Sequence, residues 1–232
     1  MSAQRNERLA YEAVVFDLFG TLVQERTAQV NEDIAARVGL PVDSFVRLWT
    51  EGYRKRMTGS CTVEEGFLRA CDVLGAPNPE SALRQFMEAR LRYLRDTLTC
   101  FQPGAVIALT SLVAGGVPLV LLSNATLDVP ALWASSALAS YFTASVFSCE
   151  IGTMKPDPKA YHAACSAIAV EPRSCLFVGD GNDGELGGAA ASGLTPVQML
   201  SGRASYPEAR CQITSLDQIL PIVGLVDAPI RS

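Results

Sequence analysis

Residues 13–23 read AVVFDLFGTLV: an apolar run that ends in one carboxylate, Asp17, and then breaks at Gly20 and Thr21. Apolar residues in succession, without polar alternation, suit a strand buried on both faces, as in a parallel sheet. The same form recurs in PLVLLSN (118–124), SVFSCE (145–150), CLFVGD (175–180) and TPVQML (195–200). Between these runs lie helical patterns: PGAVIALTSLVAGG (103–116), VPALWASSALASY (129–141), DPKAYHAACSAIAV (157–170) and GELGGAAASG (184–193). Strand and helix alternate, which predicts an α/β fold built on a doubly wound parallel sheet.

One interval departs from this rhythm. Residues 27–97 contain no good strand, only helical stretches near NEDIAARVG, VDSFVRLWTEGYRKRM, TVEEGFLRACDVLG and PESALRQFMEARLRYLRD, punctuated by Gly and Pro. A smaller helical domain is therefore expected at 27–97, inserted into a core formed by 1–26 and 98–232. It carries ten Lys or Arg and ten Asp or Glu, so the net charge of −5 resides in the α/β portion. Phe45, Trp49, Tyr53, Phe67 and Leu91 recur at helical spacing and are expected to pack inside the insertion. Arg54-Lys55-Arg56 is its one cationic run; such a run, expected here in a turn, is ordinarily solvated.

With 232 residues, 49% of them hydrophobic, the chain can bury a sizeable core. The acidic balance argues against nucleic acid as a partner, because phosphate backbones are gripped by clustered Lys and Arg. The opening MSAQRNERLAYE lacks the apolar stretch of a secretory signal, and no apolar run reaches the roughly 18 residues of a membrane span. A soluble cytoplasmic protein is expected. Seven scattered cysteines form no C-x-x-C pair and indicate neither a disulfide framework nor a zinc site. The one histidine, His162, falls in a helical pattern, which leaves carboxylates, hydroxyls and lysine to carry any chemistry.

In open parallel sheets ligands gather beyond the carboxyl ends of the strands. The residues there are Asp17, Ser123 with Asn124, Lys155 in GTMKPDP, and Asp180. Two carboxylates on one face repel unless a cation lies between them, and oxygen donors without His or Cys suit Mg²⁺. Ser123 and Lys155 would hold an anion close by, and Asp17 could attack it. A phosphoryl group suits such a site, since its transfer needs chiefly alignment and charge neutralisation.

The segments DLFGTL, LLSNA, KPDP and VGDGNDGELGGA, in this order, resemble the four motifs of the haloacid dehalogenase (HAD) superfamily, and the helical insertion resembles its cap. The resemblance runs from about residue 13 to 220. It implies Asp17 as nucleophile and Lys155 as the amine that steadies its charge, with Ser123, Asn124, Thr21 and, from the cap, Arg54 around the substrate. It also implies a Mg²⁺ site made by Asp17, the main-chain carbonyl of Phe19, Asp180 and a second acid. That acid is Glu185, five positions after Asp180, with Asp183, three positions after it, as the competitor.

Phe19 is where the chain departs from the pattern. Most phosphatases of the superfamily carry Asp two residues after the nucleophile, to protonate the leaving alcohol, and Phe19 cannot do so. Three readings compete: haloacid dehalogenation, in which halide leaves without a proton; phosphoryl transfer without this acid; and a binding module that has lost efficient turnover. The metal-suited acid at Asp180 speaks against the first, and the retention of Asp17, Ser123, Lys155 and Asp180 against the third. The expectation is a Mg²⁺-dependent hydrolase of a small phosphorylated metabolite.

Overall fold

The computed structural model describes residues 10–24, 30–200 and 205–225. Strand β1 (Ala13–Phe16) leads into five helices, α1 (Val30–Arg37), α2 (Val42–Glu51), α3 (Tyr53–Met57), α4 (Val63–Leu74) and α5 (Pro79–Thr99). Alternation then sets in: α6 (Ala105–Ala114), β2 (Leu119–Ser123), α7 (Val129–Ala134), β3 (Ala144–Phe147), α8 (Ser148–Ile151), α9 (Pro158–Ser166), β4 (Cys175–Gly179), α10 (Glu185–Ala191) and β5 (Thr195–Met199). Strand β6 (Cys211–Ile213) and α11 (Leu220–Val223) close the described chain.

The six strands form one sheet in the order β3-β2-β1-β4-β5-β6, and every pair is parallel. In β1 the two-residue period sorts side chains to opposite faces. Val14 and Phe16 join one apolar cluster with residues of α5, α6 and α11, while Ala13 and Val15 join another with α9 and α10. Because both faces are covered, all four residues are buried, which is why the run carries no polar alternation. The chain leaves β1 toward β2 on one side and returns to β4 on the other, so the strand order reverses at β1. Asp17 stands at that point.

The helices between β1 and β2 have an apolar cluster of their own. Phe45, Trp49, Phe67 and Phe86 are buried in it, with the Phe67 and Phe86 rings stacked at 4.2 Å. Each such burial is worth about 1.5–3 kcal/mol. Local signals set the helix ends: Thr62 and Glu65 form a reciprocal capping box at α4, Gly75 ends that helix in the left-handed conformation, and Asn78 caps α5 ahead of Pro79.

Three sequence expectations change. The run 42–57 is two helices, split at Gly52, and Arg54-Lys55-Arg56 lies within α3 rather than in a turn. Arg56 is buried, not solvated, with its guanidinium 3.6 Å from the centre of the Trp49 ring. The strand β6 is additional: three residues, partly exposed and paired only to β5, give too short a pattern to read.

Candidate active site

Asp17 follows β1 directly, and its backbone N–H donates to Val178 O of β4, which fixes it at the sheet's carboxyl edge. Asp180 follows β4. Its carboxylate accepts from Asn182 N at 2.9 Å and Asn182 Nδ2 at 3.1 Å. Gly20 turns the chain with φ +81°, and a Cβ there would collide with Asp180 Oδ2, so the loop after Asp17 can lie against Asp180 only as glycine. Glu185 opens α10; Gly181 N–H donates to its Oε1 at 3.1 Å, and Tyr161 Oη donates to its main-chain oxygen at 2.7 Å.

Lys155 joins these acids. Its Nζ lies 2.5 Å from Asp17 Oδ1 and 2.5 Å from Glu185 Oε2, with the Phe177 ring centre at 5.5 Å. Its loop is held by Asn124, whose Oδ1 accepts from Lys155 N at 2.8 Å and whose Nδ2 donates to Lys155 O at 3.1 Å. Asp17 is 6% exposed, Lys155 and Glu185 2%, and Asp180 not at all. Burial on its own would lower the Lys155 pKa, but Asp17 and Glu185 outweigh it and raise it, so the ammonium stays charged. Burial also raises the Glu185 pKa; Asp17 and Asp180 push the same way, against the pull of Lys155.

Carboxylate oxygens of Asp17, Asp180 and Glu185 lie within 4.8 Å of one another. Three buried acids share this site with Lys155, and water screens their mutual repulsion poorly. The donors are all oxygen, and the residues fit a hard divalent cation such as Mg²⁺. Asp183 is directed elsewhere: its Oδ2 accepts from Tyr53 Oη at 2.7 Å and from Asn124 Nδ2 at 3.1 Å.

Ser123 ends β2 fully buried, with its hydroxyl 3.4 Å from Asn124 O. Thr21 is also fully buried, and its hydroxyl has no hydrogen-bond partner among the described residues. Phe19 is half-buried against the main core cluster. Arg54 is exposed on α3, and no hydrogen bond or ion pair ties its guanidinium to the acids.

Leu91 is only partly buried and lies outside the apolar cluster of Phe45, and Tyr53 is a second residue whose position the helical spacing misassigned. Continuing from Phe45 and Trp49 by fours places it in the apolar stripe, but the break at Gly52 starts a new helix and turns it toward Asp183. Two further contacts bridge the helical segment and the sheet's edge. Arg90 of α5 pairs with Asp128 at 2.6 Å and donates to Thr126, while Ser148 Oγ donates to Met57 O at 2.6 Å.

A parallel sheet with a buried acid at its switch point, a lysine from a later loop and further acids after the fourth strand defines a class of α/β hydrolase. The model of the haloacid dehalogenase-like hydrolases matches residues 11–193, and the chain belongs to that family. A phosphatase of Mycobacterium tuberculosis is 31% identical over 183 residues, covering 74% of this chain and 80% of its own length. An (S)-2-haloacid dehalogenase of Pseudomonas sp. is 28% identical over 224 residues, covering 89% and 94%. In fold, the crystal structure of a 2-haloacid dehalogenase from Pseudomonas syringae superposes with a TM-score of 0.70 at 22% identity, over 92% of this chain and 97% of that one. Among the described residues no helix is long and apolar enough to cross a membrane.

Proposed function

We propose that the protein is a Mg²⁺-dependent phosphatase of small phosphorylated metabolites, with Asp17 as the nucleophile. The observation that carries this reading is the convergence of three buried acids: carboxylate oxygens of Asp17, Asp180 and Glu185 lie within 4.8 Å of one another, beside Lys155. Mg²⁺, when bound by Asp17, Asp180, Glu185 and the Phe19 carbonyl, would neutralise charge on a phosphoryl group. Residues 27–97 act as a cap over the core, and the Tyr53–Asp183 hydrogen bond is a closing contact between them.

The chain's own groups supply the remaining steps. Lys155 donates to Asp17 Oδ1 and fixes that oxygen beside the other acids, so the carboxylate is aligned before substrate enters. Ser123, Asn124 and Thr21 surround the phosphoryl oxygens; the unpartnered Thr21 hydroxyl is a buried donor that substrate would satisfy. Arg54 stands at the cap's rim for the rest of the substrate. Asp17 oxygen bonds to phosphorus as the ester oxygen departs, and water then releases phosphate from the aspartyl phosphate. Phe19 offers the departing oxygen no proton, so weakly basic leaving groups are favoured.

Phe19 favours a second reading, 2-haloacid dehalogenation, in which Asp17 attacks carbon and halide leaves unprotonated. Purified protein assayed with an aryl phosphate, an alkyl phosphate and 2-chloropropionate, with Mg²⁺ or with chelator, separates the two. Phosphate release that needs Mg²⁺ and favours the aryl ester is expected; halide release in chelator would replace the proposal.

Phe19→Asp tests the leaving-group account. Hydrolysis of the alkyl ester should rise by about 100-fold relative to the aryl ester, the lower end of what a general acid contributes. Equal gains on both esters would discard the account. Because the Phe19 ring packs on the core, the substitution should also lower thermal stability.

A further inference from the structure

A second site lies within the helical segment, away from the acids. Residues of α2, α3 and α4 enclose a cleft of about 290 Å³ lined by Leu48, Ala70 and Val73 on its apolar side and by Lys55, Arg56, Arg69 and Glu51 as its charged groups. None of the residues around Asp17 lines it. Arg56 is 3% exposed, yet no carboxylate pairs with it among the described residues. Its Nη2 donates to Trp49 O at 2.6 Å, its Nε has no partner among the described residues, and its guanidinium lies over the Trp49 ring.

The local sequence makes room for this cation. A Cβ on Gly52 would come within 2.5 Å of Arg56 Nη1, and one on Gly66 within 3.2 Å of its Cδ. A buried guanidinium with unfilled donor capacity favours an anion, and two further cations against one acid leave the cleft with a surplus of two positive charges. Burial, reinforced by the like charge of Arg90, lowers the Arg56 pKa to about 10, so the group is still charged at neutral pH.

We infer that this cleft is a binding site for the phosphate group of a small molecule, separate from the catalytic centre. The surplus charge matches a phosphate dianion, guanidinium N–H groups not taken by Trp49 O can donate to its oxygens, and the volume admits a small ester. The inference does not rest on the phosphatase reading. Helix α3 links the cleft to the other site, because the same five residues carry Lys55 and Arg56 here and Tyr53 at Asp183.

Trp49 is a built-in reporter. The full chain, in chelator and at constant ionic strength set with chloride, is titrated with inorganic phosphate and, separately, glycerol 2-phosphate while tryptophan fluorescence is read. A saturable change is expected in the wild type and in Ser123→Ala, and about tenfold or weaker affinity in Lys55→Gln/Arg69→Gln, whose two side chains are exposed. Circular dichroism verifies that the double variant is folded. Tighter binding of the ester assigns the site to a phosphorylated metabolite; equal or tighter binding of inorganic phosphate assigns it to the free anion. A response without saturation, or one unchanged in the double variant, overturns the inference.

Discussion

Asp17→Asn should abolish turnover, by about 10⁴-fold or more, while leaving the protein as stable as the wild type or more so. The amide keeps the shape of the carboxylate but cannot form the covalent intermediate. Stability should hold because the substitution removes one of three buried acids that repel each other, and Lys155 keeps its 2.5 Å contact with Glu185. A nucleophile and a structural ion-pair partner make opposite demands here. If Asp17 served only to pair Lys155, its loss would lower the melting temperature along with activity. Single-turnover kinetics on an aryl phosphate, with melting curves in chelator, separate the two roles; substantial activity in Asp17→Asn would mean that the assigned centre is wrong.

The same acids make metal-free stability depend on pH. Burial and two like charges raise the Glu185 pKa above its unfolded value, so the folded state binds more protons between the two. Stability then falls as pH rises through that interval, the reverse of the usual behaviour of a salt-bridged carboxylate.

What could be read before folding depended on the range of the signal. The strands of the sheet's centre were legible because burial on both faces removes polar residues from the run, and Asp17, Ser123 and Asp180 were legible because each sits where such a run ends. Lys155 and Glu185 lie in loops and at a helix start; their order along the chain singled them out, but their approach to one another across 30 residues did not show. Tyr53 was misread because helical periodicity presumes an unbroken helix, and the break at Gly52 sends it to Asp183; Arg56 was misread because a cationic run is ordinarily solvated, whereas here its guanidinium folds back onto Trp49. Strand β6 is short and half-exposed, so it lacks the composition that marks its neighbours.

Lys155→Met is expected to damage stability more than any other single change at the centre. The side chain is almost fully enclosed, and Met fills a similar volume, so packing is largely kept and the loss is electrostatic. Asp17 and Glu185 would then lose the buried cation they share, with Asp180 close by. Removing one partner of a buried ion pair costs about 3–5 kcal/mol, which for a chain of this length corresponds to about 6–20 °C in melting temperature. In chelator the deficit should grow with pH, because the acids can shed the strain only by taking up protons. Millimolar Mg²⁺ should raise the melting temperature of the variant more than that of the wild type, since the ion takes over charge that Lys155 had offset. Activity should stay low in both conditions, as no ammonium aligns Asp17. Equal Mg²⁺ responses in variant and wild type would show that the three acids do not form one cation site, and the metal assignment would fall while the nucleophile stands.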